Sequence, residues 1–335
     1  MNIIAAALVL FSVLVPVKTW FAPDRPVQLN INADQPVRLV MLDFNGKLLE
    51  PAVPAQVNKP RVVDIHDMYP QISNVGTYVM FAVPSEKGLQ QFVGTPVVVQ
   101  SLAPGRFGGP LANAATVIKL SPLVFAKMDT DSGPIKMAFW YDSAPNTIAS
   151  FLALSQGGFY DGLTFHRVVP GFVIQGGDPT STGFGGPGYN VQAEFNDRNH
   201  DEGVLSMART GDPLEGKGVM PRAEFANSAG SQFFICLSRD RTSALDRKYT
   251  AFGKVVDGLD AVKKIAAAPL TDERTGKPKQ PLVIRKITVV PVTAADNPYD
   301  EMLKLETAES RLQLQTTQPT TQPTAMPSTV PMTIP

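Results

Sequence analysis

Between Val27 and Leu102 the chain breaks into short apolar runs, VQLNI, VRLVMLDF, RVVDI, TYVMFAV and TPVVVQSL, separated by Asn45-Gly46, prolines and glycines. Such runs suit strands, and the breakers between them supply corners, so a small antiparallel β domain of sandwich-like form is expected over 23–102. The same punctuation resumes near Thr116. VFAKMDTDSGPIKMAFWYDSAP carries apolar residues on both sides of an Asp-Ser-Gly turn, a hairpin signal, and SQFFICL, KYTAFGKVV and QPLVIRKITVVPV read as further strands. Helical period interrupts this pattern in the stretch after Asp142 and Ser143, either of which can cap. Pro145 suits the first turn there, Ile148, Phe151 and Leu152 share one face, and Gly157-Gly158 ends the helix. It returns in VVDGLDAVKKIAAAP, with Leu259, Val262 and Ile265 on one face and Asp257 as cap. Strands interleaved with two separated helices and glycine-rich corners fit a closed antiparallel barrel plugged at its ends, although periodicity alone does not choose it over a generic α+β sheet.

At 335 residues the chain is long enough for two folded units plus extra segments. Lys plus Arg and Asp plus Glu are equal at 30 each, which gives no electrostatic case for a nucleic-acid partner. Cys236 is the single cysteine, so no intramolecular disulfide forms, and its place in SQFFICL predicts a buried, inert thiol. His66, His166 and His200 lie far apart without metal-ligand spacing, so no metal site is expected. Asp64, His66 and Asp67, in DIHDMYP, read as a solvated loop. The apolar run Ile3–Val17 makes residues 1–22 a signal peptide or N-terminal anchor, a possible membrane tether, and predicts export to the periplasm or envelope rather than a cytoplasmic location. No Lys or Arg precedes that run and no clean cleavage site follows it, so an ordinary buried helix stays open. APGRFGGPLANAA, 103–115, reads as a linker before a second domain over 116–293. Asn297-Pro298 opens a helix within 294–315, with a weak stripe of Met302, Leu305 and Leu312, and the Thr/Gln/Pro repeat of 316–335 has no means of packing.

FHRVVPGFVIQGGD, Phe165 to Asp178, sets one cation and one amide among apolar residues. An arginine keeps its proton near neutral pH, so Arg167 is no general base; it donates hydrogen bonds in a fixed fork, and more strongly where water is partly excluded. From the residues alone, a surface arginine paired with Asp178 or Glu194 stays open. The sequence lacks GxSxG, P-loop and HExxH motifs, and its cluster GGDPTSTGFGGPG does not match the dinucleotide fingerprint. Nothing selects a serine partner for His166.

FHRVVPGFVIQGGD, then GVLSMAR, GSQFFICL and LDRKYTAFGKVVDGLD, taken in that order, resemble the cyclophilin family of peptidyl-prolyl isomerases over about Val124 to Val290. The resemblance implies an eight-stranded barrel with two capping helices and an active groove on its outer face. It also implies catalysis of X-Pro isomerisation in folding or exported proteins, without a cofactor. That reaction has a barrier of about 18–20 kcal/mol and needs no covalent step. By motif position, Arg167 is the donor to the prolyl nitrogen. Phe172, Phe234 and Leu245 form the proline pocket, with Val173 and Met207 at its edge. Gln175 and Gln232 fix the substrate backbone, Ala208 and Arg209 lie on the strand edge beside the peptide, and Tyr249 stands where many relatives have histidine.

The sequence departs from the family pattern in three places. Ala244 replaces a frequent tryptophan, so weak cyclosporin binding is expected with activity retained. Arg209 stands where asparagine is frequent, and its contact is expected through the backbone. The segment 209–229 is longer than the usual short loop, and is expected to border the groove and wall the pocket for residues preceding proline. The competing expectations are a non-catalytic chaperone or scaffold that holds Pro-containing segments, and a structural envelope protein in which the N-terminal domain matters most.

Overall fold

The structure is a computed structural model that describes residues 12–22, 25–103, 117–215 and 219–317. The expectations for the apolar run before Ser12, for the linker beyond Ala103 and for the tail beyond Thr317 fall outside the described residues.

The N-terminal half contributes β1 (Leu14–Pro16), β2 (Trp20–Phe21), β3 (Gln28–Ile31), β4 (Val37–Asp43), β5 (Gln56–Val57), β6 (Arg61–Asp64), β7 (Gly76–Pro84), β8 (Val97–Leu102) and β9 (Val117–Pro122). These form two antiparallel sheets, β1-β3-β6 and β2-β9-β8-β7-β4-β5, around a shared core of Leu29, Ile31, Leu39, Met41, Met80 and Val99. Successive strand residues point to opposite faces, and in the larger sheet the alternate set, Val40, Leu42, Val79, Phe81 and Val98, is also buried. It belongs to the same apolar cluster as the second domain. Burial on both faces is why β4 and β7 are continuous apolar runs rather than an alternation.

Two boundaries and one local element differ from expectation. Val117–Pro122 pairs with Val97–Leu102 in the N-terminal sheet, so the second domain starts at Val124 rather than 116. Leu14 and Phe21, within the segment assigned to a leader, are core residues of the first domain, each 2% exposed. DIHDMYP is not a loop: Ile65–Met68 make one helical turn whose Ile65 and Met68 are buried, and the Asp64 carboxylate accepts the N–H groups of Val27 and His66.

The second domain is a curled sheet of eight strands built from β10 (Val124–Thr130), β11 (Gly133–Phe139), β12 (Arg167–Val169), β13 (Val173–Gly176), β14 (Val204–Met207), β15 (Phe233–Cys236), β16 (Ala251–Asp257) and, after the short hairpin β17 (Leu270–Asp272) and β18 (Lys277–Pro278), β19 (Ile284–Pro291). The order is β12-β13-β15-β14-β16-β11-β10-β19. The chain just before β12 meets the chain entering β19 through the bonds Phe165 N–H to Leu282 O and Ile284 N–H to Leu163 O, so a short bridge rather than a full ladder joins the two edges of the curled sheet. Its interior is aromatic: Phe139, Phe151, Tyr160, Phe165, Phe233 and Phe252 are fully buried and stack mostly edge-on or tilted.

Helix α1 (Pro145–Gln156) covers one end and buries Ile148 and Phe151 as its spacing requires. Neither Asp142 nor Ser143 caps it. Asp142 pairs with Arg198 at 2.6 Å, and the first-turn N–H groups of Asn146 and Thr147 donate to Glu194 instead. Helix α2 (Leu259–Ala266) buries Val262 and Ile265, and its N-cap is Gly258 at φ +89° rather than Asp257. A Cβ at Gly258 would collide with the Pro134 carbonyl, so only glycine fits.

The C-terminal segment starts its helix later than Asn297-Pro298 suggests, with α3 spanning Leu305–Thr317 after a run of turns. Tyr299, Leu303, Leu305 and Ala308 are fully buried. The Tyr299 hydroxyl donates to Val124 O at 2.7 Å and accepts the Phe139 N–H at 3.0 Å, while Glu309 accepts the Leu89 N–H from the N-terminal domain. Leu303 O presses on Gly46, the turn glycine at φ +81°. Among the described residues no helix is long and apolar enough to cross a membrane.

Candidate active site

The site grows from one tight turn. Pro170-Gly171 joins β12 to β13, with Gly171 at φ +67° and Phe172 N–H bonded to Val169 O at 2.9 Å. That turn fixes a register in which Arg167 faces Gln175, Gln175 faces Phe234 and Phe234 faces Ser206. Residues opposite one another share a face, so these side chains form a row across four neighbouring strands. Val168, Ile174, Ile235 and Leu205 fill the other face, each 0% exposed, which makes the row the outer surface of the barrel.

Arg167 donates to Gln175 Oε1 at 3.3 Å, Gln175 Nε2 to Gln232 Oε1 at 2.9 Å, and Gln232 Nε2 to the Gly185 carbonyl at 2.8 Å. This chain of amides orients the guanidinium. The carboxylates that sequence left open as its partners are engaged elsewhere: Glu194 caps α1, and Asp178 organises the glycine-rich loop. Asp178, 0% exposed, accepts N–H groups from Thr180, Thr182 and Gly183. Burial raises its pKa, but the bonds from Thr180, Gly183 and Gly185 outweigh that and bring it to about 2. A Cβ on Gly185 would strike this carboxylate, so the glycines of GGDPTSTGFGGPG let the loop wrap Asp178 and present the Gly185 carbonyl.

Beside the amide chain, Phe234 is buried at 4% exposure, with Tyr249 edge-on to its ring at 5.8 Å and the His200 imidazole stacked behind at 6.2 Å. Phe172 and Leu245 are half-buried against the same apolar cluster, and Val173 is 2% exposed in β13. Arg241 lies 5.6 Å over the Phe172 ring and donates to Pro170 O. Met207 differs from expectation. It pairs with Phe233, whose ring is in the barrel interior, so its side chain is on the core side of β14 rather than at the pocket edge. Ala208 and Arg209 line the cavity beside the glutamines, while the Arg209 side chain, 2% exposed, lies with its guanidinium 4.3 Å from the Tyr249 ring.

A cavity of about 650 Å³ continues from Gln175 and Gln232 between Gly183–Asn190 and Ala208–Gly211. Among the described residues of the long 209–229 segment, those that line it are at its ends, Arg209–Gly211 and Ser228. Ala244 is exposed, and Cys236 is buried with its thiol pushed up to about 12 by burial. Sequence reasoning missed His200, Ser206 and Asp246: His200 Nε2 meets Ser206 at 3.0 Å, and Asp246, next to Leu245, holds Nδ1 at 3.1 Å. Ser206 and Asp246 carried a signal, through their places inside GVLSMAR and LDRKYT, and His200 carried none.

Residues 125–289 match the family model described as cyclophilin type peptidyl-prolyl cis-trans isomerase/CLD. A peptidyl-prolyl cis-trans isomerase of Synechococcus elongatus is 48% identical over 39% of this chain and 80% of its own length. Peptidyl-prolyl cis-trans isomerase B of Bacillus subtilis is 41% identical over 43% of this chain and 90% of its own. For peptidyl-prolyl cis-trans isomerase A of Mycobacterium tuberculosis the figures are 37%, 50% and 94%. With the motif residues gathered on one outer face of an eight-stranded barrel, and relatives covered over most of their length, the chain belongs to the cyclophilin-type peptidyl-prolyl cis-trans isomerases.

Proposed function

We propose that this isomerase holds the proline ring of a polypeptide against Phe172, Phe234, Leu245 and Tyr249 while Arg167 donates to the prolyl nitrogen. Rotation about an X-Pro bond breaks amide conjugation and leaves the nitrogen lone pair localised and pyramidal. A permanently charged donor aimed at that pair stabilises the twisted state more than either planar one, which lowers the barrier without a covalent intermediate. The observation that carries this reading is the chain Arg167–Gln175–Gln232–Gly185, which orients the donor before substrate arrives. Gln175 and Gln232 keep donor and acceptor capacity for the substrate backbone, and the peptide extends past Ala208 and Arg209. Ala244 at the rim carries the expectation of weak cyclosporin binding.

The substrates proposed are Pro-containing segments of exported or envelope proteins, the compartment resting on the apolar run Ile3–Val17. Leu14 and Phe21 in the domain core favour a leader that stays attached as a tether. The test of the site is a coupled isomerisation assay on an Ala-Pro peptide. Arg167→Ala should lower kcat/KM by about 10²–10³, the usual effect of removing one preorganised charged donor, with the thermal transition unchanged. A variant within twofold of wild type would overturn the assignment.

A further inference from the structure

Among its described residues, the long 209–229 segment lines the 650 Å³ cavity at its ends, and Glu215 within it is bonded to the floor of the neighbouring pocket through Arg209. Arg209 is almost fully buried. Its Nε donates to Lys248 O at 3.1 Å, its Nη1 to Thr210 O at 3.0 Å and its Nη2 to Glu215 Oε2 at 2.7 Å. The guanidinium plane covers the Tyr249 ring at 4.3 Å, and Tyr249 meets Phe234 edge-on at 5.8 Å. A buried guanidinium needs a counter-ion, and Glu215, 15% exposed, supplies it, with Lys248 also within 3.7 Å. Glu215 is itself held in place. Three residues before it, Asp212 takes a forked pair of bonds from Arg222 at 2.8 and 3.0 Å and accepts the N–H groups of Leu214 and Arg222, which pins the start of the loop to its return.

We propose that Glu215 is a positioning residue for substrate binding: through Arg209 it clamps the Tyr249 ring against Phe234 and so sets the shape of the proline pocket. Without the carboxylate, the Arg209 charge turns out toward water, the ring loses its cover, and the pocket wall becomes mobile before substrate binds. The cost then falls on binding and not on the Arg167 step, because the amide chain that orients Arg167 touches neither Glu215 nor Arg209. The inference rests on the assignment of Phe234 and Tyr249 to the proline pocket.

The experiment measures kcat and KM separately on an Ala-Pro peptide for the full chain. Glu215→Ala is expected to raise KM about tenfold, the low end of what one lost charge-assisted hydrogen bond is worth, with kcat held within about twofold. Glu215→Gln, which keeps an acceptor without the charge, should give a smaller rise, and it carries the test if the alanine variant fails to fold. Arg209→Lys keeps the charge but not the plane and should raise KM as much as Glu215→Ala. The double variant should do no more than either single one, because both break the same contact. Unchanged KM, a parallel fall in kcat, or effects that multiply in the double variant would each overturn the proposal. Arg167→Ala run alongside separates the two readings: if it retains activity the pocket assignment itself fails, whereas a collapse there with unchanged KM in Glu215→Ala removes only the role of Glu215.

Discussion

The imidazole of His200 has no exposed surface and engages both its nitrogens directly behind the Phe234 ring. Asp246 can only accept, so Nδ1 carries the hydrogen and Nε2 accepts from the Ser206 hydroxyl. Burial lowers the pKa of His200 below the ordinary histidine value, and the hydrogen bond and charge of Asp246 offset this only in part. His166 is shifted in the same direction, again by burial first, with Asp178 opposing. The unfolded chain takes up these protons near pH 6.5, whereas the folded chain does not until lower pH, so stability present above about 6.5 is lost as pH falls below it. Asp178 and Asp246, both held at about 2, contribute stability that is lost only as pH falls from about 4 toward 2, outside that window. The melting temperature should therefore decline from pH 7 to pH 5 before Asp178 or Asp246 titrates, and a flat profile across that interval would count against neutral His200 and His166. This support behind Phe234 was not legible in sequence, because His200, Ser206 and Asp246 come from separate segments that only the fold brings together.

At the scale of elements, α1 shows where local pattern is sufficient and where it is not. Its apolar face, its Pro145 start and its Gly157-Gly158 stop all follow from sequence, since each is a property of neighbours along the chain. Its cap does not. Glu194, 47 residues beyond Thr147, accepts the first-turn N–H groups, and the nearer Asp142 is drawn off by Arg198. Glu194→Ala should cost about 1–2 kcal/mol in denaturant unfolding, since it strips a charged acceptor from the positive end of the helix. Its kcat/KM should remain near wild type. A change below a few tenths of a kcal/mol would show that water replaces the carboxylate. The hairpin turn of β12 and β13 is the opposite case, for Pro170-Gly171 encodes its own geometry and thereby places Arg167 opposite Gln175.

Across the whole molecule the two domains share one apolar cluster, and the C-terminal segment is bonded to both. Tyr299 is the centre of that junction. Its hydroxyl, pushed well above the usual tyrosine pKa by burial, bonds at once to Val124 O and to the Phe139 N–H. Tyr299→Phe leaves the buried Phe139 N–H without its partner, and Val124 O with only the longer bond from the Tyr141 hydroxyl at 3.3 Å, and should destabilise by about 1–3 kcal/mol. Calorimetry should show a single transition, lower in temperature, because a common core couples the halves. Two separate transitions would show that they unfold independently. Strand and helix pattern, the barrel and the motif order were legible in sequence, because they depend on side-chain period, turn chemistry and four motif blocks. The transfer of Val117–Pro122 to the N-terminal sheet, the inward turn of Met207, the clamp of Glu215 on Arg209 and the docking of Tyr299 were not. Each depends on which distant surfaces meet, and burial against a remote partner leaves no periodic trace in the residues that make it.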